Sequence, residues 1–356
     1  MTKIAAGSTI GIIGGGQLGR MSAQAAKKLG YKTHIFSPDE DAPAKQICDE
    51  STTAAYEDKG ALAAFASNVA VVTFEFENIP YDTLKYIEEN AIVRPNPKTL
   101  HVSQNRIREK ELVKSVGAQT APYAAVYGSD GIAESMKKMG FSKAILKTAE
   151  LGYDGKGQYL ITDKNDIPNI GHFPTHGMIL EGFVNFTREI SVIVARGVDG
   201  EMQCFPVGEN VHKNGILDTT TVPPNVSDAT ANMAKKIAQN LAKSLEVIGL
   251  LAVEFFVLED GSVLVNEMAP RPHNSGHWTM DGCKTSQFEQ FIRAICGLPL
   301  GSVDLIGRTQ MKNLIGHDIE NANQIVKENP NARVHIYGKK EIRTGRKMGH
   351  VNFLVE

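Results

Sequence analysis

Two glutamates are the first residues of this 356-residue sequence that could do chemistry together. They lie in "GLLAVEFFVLEDGSVLVNEMAPR", where Asp260-Gly261 is the preferred pair for a two-residue hairpin turn. If the strands pair symmetrically about that turn, Glu259 faces Ser262, and counting outward sets Glu254 opposite Glu267. Cross-strand partners share a face, so the two carboxylates would stand about 5 Å apart. Like charges so placed destabilise a sheet unless something binds between them. A divalent cation with oxygen ligands does so, and Mg²⁺ bridging substrate phosphates is the common case. The apolar flanks Val253, Phe255, Val257, Val263 and Val265 argue against an edge hairpin with solvated glutamates. Asn266 falls on the opposite pleat of an ideal ladder and joins the pair only through a bulge or twist.

Cations that could meet phosphates stand elsewhere. Lys147 ends the apolar strand "AILK", and Arg106 lies on a polar helix; taken singly, each reads more readily as a solvated surface charge. Beyond Lys147, "LGYDGKGQ" (Leu151 to Gln158) packs three glycines, an aspartate and a lysine into a loop without P-loop spacing. "ILEGFV" (Ile179 to Val184) ends a strand with backbone groups beside apolar side chains, as an adenine edge needs and as a routine strand end also offers. "PRPHNSGHW" (Pro270 to Trp278) sets Arg271, His273, Asn274, Ser275 and His277 just past Glu267. With no third His or Cys at ligand spacing, this points to a polar anion pocket beside the Mg²⁺ site rather than to zinc. "HIYGKKEIRTGRKMGH" carries Lys339, Lys340, Arg343, Arg346 and Lys347 against Glu341, a basic loop suited to gripping a phosphate.

"GGGQLG" fits G-x-G-x-x-G at Gly14, Gly16 and Gly19, where amides at a helix N-terminus would meet an anion. A nicotinamide dinucleotide also needs an acid at the end of the second strand. Phe36-Ser37-Pro38 stands there instead, so an anion site or a tight turn is favoured over a dehydrogenase.

Several elements must position these groups. "STIGIIGGGQLGRMSAQAAKKLGYKTHIF" reads as strand, glycine turn, amphipathic helix and strand, and "VAVVTFEFENIP" as a further strand. This alternation over about the first 100 residues predicts a doubly wound α/β domain. "RPNPKTL" reads as a linker or stiff turn, and "SQNRIREKELVKSVGA" as one polar helix. To about residue 270, short hairpin strands, a long helix from Asp228 to Leu245 and helices on one face predict an α+β domain. A helix from Gln287 to Cys296 and a small basic C-terminal segment follow.

Composition frames this. Hydrophobic residues at 42% and charged residues at 22% describe a soluble globular protein, too long for one ordinary core. A net charge of −2 supplies no global field for nucleic acid or a membrane surface. No apolar run is long enough to span a membrane and no signal-peptide layout opens the chain. The four cysteines form no C-x-x-C, and a reducing cytoplasm is the simplest compartment.

Together the motifs "GIIGGGQLGRM", "TFEFENIP", "LGYDGKGQ", "NFTREISVI", "APRPHNSGHWT" and "YGKKEIRTGRKMGHVN" resemble the ATP-grasp superfamily. Within it they are similar to the 5-(carboxyamino)imidazole ribonucleotide synthases of purine biosynthesis. The resemblance implies an ATP-grasp fold with a Rossmann-like domain at 1–102, an ATP-grasp domain at 103–295 and a small C-terminal domain at 296–356. It implies that ATP phosphorylates bicarbonate to carboxyphosphate, which carboxylates 5-aminoimidazole ribonucleotide, with Mg²⁺ and without biotin. Residue by residue, it places ATP phosphates on Arg106 and Lys147. It makes the loop Gly152, Tyr153, Asp154, Gly155, Lys156, Gly157 and Gln158 a cover over the nucleotide, with Tyr153 and Asp154 toward the imidazole. Glu181, Gly182, Phe183 and Val184 would be the adenine hinge, Glu189 would take the ribose, and His212 and Asn266 would lie near the nucleotide. Glu254 and Glu267 would hold the metal. Gly16, Gln17, Glu75, Arg271, His273, Lys339 and Arg346 would line the bicarbonate and ribonucleotide side, with Asp154, Arg271 and His273 closest to the chemistry. A cytoplasmic homodimer is what the family suggests. Another ATP-grasp ligase would keep the ATP residues and differ in "PRPHNSGHWT" and "GRKMGH".

Overall fold

Ile10, Ile12 and Ile13 leave no polar face on the strand Thr9–Ile13, and it lies in the middle of a parallel sheet, as such a strand must. In this computed structural model, which describes residues 2–152, 157–163, 166 and 174–355, the sheet has four strands. Their order is Glu50–Thr52, Lys32–Phe36, Thr9–Ile13 and Val71–Phe74. The helix Gln17–Lys28 buries Leu18, Met21, Ala25 and Ala26 on one face. The expected strand through "TFEFENIP" stops at Phe74, because the next residue, Glu75, turns back to the glycine loop.

"RPNPKTL" is more than a linker. After a cis Arg94-Pro95 bond, Asn96 accepts from the Thr99 amide and caps a helix, Pro97–Ser103, with the proline at its first turn. The single polar helix expected next is therefore two. Ser103 ends the first, and Asn105 caps the second, Arg106–Ser115, by accepting from the Ile107 and Arg108 amides.

A small antiparallel sheet follows, in the order Tyr123–Val126, Met178–Gly182, Ala144–Thr148 and Gln158–Ile161. The helix Ser129–Met139 covers it through Ile132 and ends on the left-handed Gly140.

The largest sheet has nine antiparallel strands. It runs from the hairpin Gly249–Val257 and Val263–Ala269 through Arg188–Arg196, Gly208–Lys213 and Ile216–Val222. The C-terminal strands Arg308–Ile315, Lys347–Val355 and Arg333–Ile336 then continue the same sheet rather than forming a separate layer. Helices cover both faces, not one. Ile193, Ala195, Leu250 and Ala252 pack toward the helix Gln287–Cys296, while Val192, Val194, Leu251 and Val253 pack toward Asp228–Ser244. An unbroken apolar run such as Leu250 to Val253 presents both pleats to a core, and two layers of helix are the physical consequence. Among the described residues no helix is long and apolar enough to cross a membrane.

Candidate active site

The hairpin that carries Glu254 and Glu267 does not turn as its Asp260-Gly261 pair predicts. Leu258 pairs with Ser262, so Glu259, Asp260 and Gly261 form a three-residue loop with Gly261 at φ +80°. That shifts the ladder by one, and Val257, Phe256 and Phe255 face Val263, Leu264 and Val265. A bulge at Asn266 then shifts it back, and Glu254 faces Glu267 after all. The two departures cancel, and the bulge brings Asn266 to the wall of the same cavity.

That cavity, about 660 Å³, opens where the three sheets meet. Gln17 and Glu75 line it from the first domain, Arg106 from the capped helix, Lys147 and Gln158 from the small sheet. Glu189, His212, Glu254 and Glu267 line it from the large sheet, and Gly152, Arg271 and His273 from loops. Gly16, Gly157, Glu181, Gly182, Phe183, Val184, Lys339 and Arg346 stand behind or beside this wall rather than in it. Tyr153, Asp154, Gly155 and Lys156 lie outside the described residues.

Charges across the cavity are matched in pairs. The Arg106 guanidinium is 3.4 Å from Glu267 and also donates to the Gly152 carbonyl. Burial pushes the Glu254 carboxyl up, and the negative charge of Glu267 pushes it further. Burial acts on Glu267 too, but Arg106 and Lys147 outweigh it and hold Glu267 below the usual carboxylate range. Donor atoms of Glu254, Glu267 and His273 all lie within 4.8 Å of one another, so two carboxylates are set for one hard cation. Burial and then the Arg271 charge keep His273 neutral, and its Nδ1 is within hydrogen-bond distance of Ser275 Oγ.

Glu181 sits between two lysines, 2.8 Å from Lys110 Nζ and 2.6 Å from Lys147 Nζ. Burial alone would raise its pKa, yet the two cations bring it down to about 2. Lys110 was not legible as a site residue, although it lies one turn beyond Arg106 on the same helix. His212 is 3.1 Å from Glu189; burial lowers its pKa, and the bond to Glu189 with the Glu254 charge raises it overall. The backbone N–H groups of Gly182 and Phe183 already donate to Pro122 and Lys143, and the Lys143 ammonium lies 3.7 Å from the Phe183 ring centroid. Val184 is half-buried. The Gly157 carbonyl accepts from the Thr148 amide.

At the glycine loop, Glu75 accepts from the amides of Gly16 and Gly19. The anion expected at this helix N-terminus is thus the protein's own carboxylate. A Cβ on Gly14 would come within 2.6 Å of the Glu75 side chain, and one on Gly16 within 2.8 Å, which accounts for both glycines. Burial raises the Glu75 pKa despite the two amides. Beside it, two nitrogens of Arg271 converge on one oxygen of Glu77, a partner 194 residues away that no motif indicated. In the basic loop, Lys339 donates to the Lys347 carbonyl, Arg346 donates to the Glu341 carbonyl, and Lys340 and Arg343 pair with Asp41 and Glu341. Lys347 is the member of that loop that reaches the cavity wall.

Comparisons with known proteins agree along the chain. The ribonucleotide synthetase preATP-grasp domain family matches residues 7–104 and the ATP-grasp domain family residues 111–288. The phosphoribosylaminoimidazole carboxylase C-terminal domain family matches residues 309–356. The chain is 48% identical over 353 residues to N5-carboxyaminoimidazole ribonucleotide synthase of Brucella melitensis, covering 98% of this chain and 97% of that protein. The Bacillus subtilis protein of the same name is 45% identical, with 98% and 92% covered. A crystal structure of the ADP complex of N5-carboxyaminoimidazole ribonucleotide synthetase superimposes with a TM-score of 0.95 at 43% identity, over 100% of this chain and 94% of that one. An Aspergillus clavatus enzyme in complex with ADP and 5-aminoimidazole ribonucleotide gives 0.90 at 29% identity, over 98% and 94%.

Proposed function

This chain belongs to the N5-carboxyaminoimidazole ribonucleotide synthase family of ATP-grasp enzymes, and from that membership we propose how its residues divide the work. The reaction is the ATP-dependent carboxylation of 5-aminoimidazole ribonucleotide in purine biosynthesis. One observation carries the assignment of residues. The paired Glu254 and Glu267 face Arg106 and Lys147 across a cavity whose other wall holds Glu75, Arg271 and His273.

Phosphoryl transfer needs positioning and charge neutralisation more than a protein nucleophile. Mg²⁺ on Glu254 and Glu267 would supply part of that neutralisation. On binding ATP, Arg106 and Lys147 exchange their carboxylate partners for phosphate oxygens. Lys110 stays with Glu181, so that no buried carboxylate is left unpaired when Lys147 turns away. Glu181 to Val184 then flank the adenine, and Glu189 takes the ribose hydroxyls with His212 beside it. Asn266 lies next to the metal carboxylates on its bulge.

A bicarbonate oxygen attacks the γ-phosphorus, the bond to the β-bridging oxygen breaks, and ADP leaves. The amino nitrogen of the ribonucleotide attacks the carboxyphosphate carbon, the carbon–oxygen bond to phosphate breaks, and the nitrogen gives up a proton. Arg271 and His273 orient the acceptor side, with Arg271 itself held by Glu77. Glu75 fixes Gly16 and Gln17 against the same side, and Lys339, Arg346 and Lys347 face the 5′-phosphate. By the resemblance, the loop Gly152 to Gln158 would exclude water from an intermediate that hydrolyses readily, and Asp154 would serve the imidazole.

The domain limits 1–102, 103–295 and 296–356 belong to this proposal, as do Mg²⁺ as the metal, a homodimer and a cytoplasmic location; all of them rest on the resemblance of the motifs. The test is ADP release with Mg-ATP, omitting bicarbonate and the ribonucleotide in turn. Turnover that requires the ribonucleotide, with one phosphate per ADP, is the expected result. ATP turnover indifferent to the ribonucleotide would sink the substrate and leave the fold.

A further inference from the structure

Two motifs reach beyond the cavity and meet in the core. His277, from "NSGHW", packs against His350, from "GRKMGH", with ring centroids 4.7 Å apart and the planes tilted by 33°. His335 stacks on His350 at 4.5 Å and is hydrogen-bonded to Asp281. Asn313 is the cross-strand partner of His350, and Asn352 follows two residues along the same face. His277, Asn313, His350 and Asn352 are all at 0% exposure, so bulk solvent satisfies none of their polar atoms.

The hydrogen bonds assign every donor and acceptor. Gln287 Oε1 accepts from the His273 amide, so its Nε2 is the donor to the His273 carbonyl and to His277 Nδ1. His277 therefore carries its proton on Nε2. The Tyr337 hydroxyl is buried with His350 Nδ1 as its only hydrogen-bond partner among the described residues, so its proton goes there and the His350 proton stands on Nε2 as well. Asn313 donates from Nδ2 to the Leu217 carbonyl, and Asn352 from Nδ2 to the His277 carbonyl and Asp281. In this cluster four buried atoms are left without a partner among the described residues: His277 Nε2, His350 Nε2, Asn313 Oδ1 and Asn352 Oδ1. They are two donors and two acceptors. A cation would not face two N–H groups, and an anion would not face two carbonyl oxygens. One water donates two hydrogen bonds and accepts two. Burial first, and then neighbouring positive charge (His273 and His335 on His277, His277 and His335 on His350), keep both imidazoles neutral, in keeping with an uncharged guest.

We propose that these four atoms enclose one structural water, and that it completes a hydrogen-bonded chain from the C-terminal strands through His277 and Gln287 to the backbone of His273. His277 and His350 are then positioning residues. They tie the loop of Arg271 and His273 to the strand that begins at Lys347.

Diffraction from the full-length protein at high resolution is the first test: a single water peak within about 3.2 Å of both histidine Nε2 atoms and both asparagine Oδ1 atoms is expected. Its absence overturns the proposal. The second test compares His350→Leu with His350→Gln, whose amide nitrogen keeps a donor near the Nε2 position. His350→Leu should raise KM for the ribonucleotide roughly tenfold with KM for ATP within about twofold, and His350→Gln should recover most of that loss. Equal changes in both KM values, or no difference between the two variants, would overturn the positioning role. If His350→Leu does not fold, as thermal melting will tell, diffraction and the His350→Gln kinetics still decide. The kinetic arm rests on Arg271 and His273 lying on the ribonucleotide side. A rise in KM for ATP alone, with the water present, would count against that placement and not against the water.

Discussion

Glu254 and Glu267 are costly neighbours until a cation joins them, and their unequal titration shows it: Arg106 serves Glu267, while at Glu254 burial and the Glu267 charge outweigh His212 and Lys347. Glu254→Gln removes one ligand and keeps the shape. Turnover should fall at least about a hundredfold and Mg-ATP binding by calorimetry should weaken with it; full activity with an unchanged Mg²⁺ requirement would sink the metal assignment. Glu109 presents a separate test. It accepts from the Met268 amide at 2.5 Å, and burial, against Arg106 and Lys110, raises its pKa to about 8. A carboxyl that ionises later in the folded state than in the unfolded one binds more protons when folded between those pKa values. Stability therefore falls as pH rises from the unfolded value near 4.5 to about 8. Glu109→Gln does not titrate, so melting curves at pH 6 and pH 9 should show the variant gaining on the wild type at the higher pH. A constant gap would mean that Glu109 is ionised throughout.

The helix Arg106–Ser115 aims Arg106, Glu109 and Lys110 at three different partners, and its direction is set at its first turn. Asn105 both caps that turn and donates to Glu150, which also receives Arg108. Asn105→Ala should cost about 1 kcal/mol, a melting shift of roughly 2–4 °C. Because Arg106 is the first helical residue, KM for ATP should rise more than KM for the ribonucleotide. A variant that melts early with both KM values intact would show the cap to be structural only. At the hairpin, the Gly261 loop and the Asn266 bulge form one device: neither shift alone would keep Glu254 opposite Glu267.

Across the whole molecule, the C-terminal strands complete the large sheet. Arg308–Ile315 pairs along Ile216–Val222 from Thr219 to Val222, and Lys347–Val355 pairs with it in turn. Removing residues 308–356 would leave the Ile216–Val222 edge with unpaired backbone groups and strip cover from the polar cluster around His277. Such a truncation should be largely insoluble or elute as aggregate on size exclusion. A monodisperse, ATP-binding product would show instead that residues 2–307 fold alone. The N-terminal sheet is joined just as closely, since the helix Gln17–Lys28 shares a core with Gln287–Cys296.

What the sequence determined by itself is local. The helix Gln287 to Cys296 was legible because Ser286 and Gly297 cap a strongly amphipathic run, and the Glu254–Glu267 pair because apolar alternation brackets a turn pair. Even there the turn had three residues, and only the compensating bulge kept the count true. Motif resemblance reached the family, because glycines and charges that shape a site keep their spacing. Tertiary structure decided the rest. Glu75 closing on the glycine loop, Glu77 on Arg271, Lys110 on Glu181, and His277 meeting His350 are long-range pairs. No spacing announces such a pair, because each side chain alone reads as an ordinary surface or core residue, and only packing the sheets together gives it a partner. The continuation of the central sheet into the C-terminal strands is of the same kind: an edge is satisfied by whichever strand the fold brings to it.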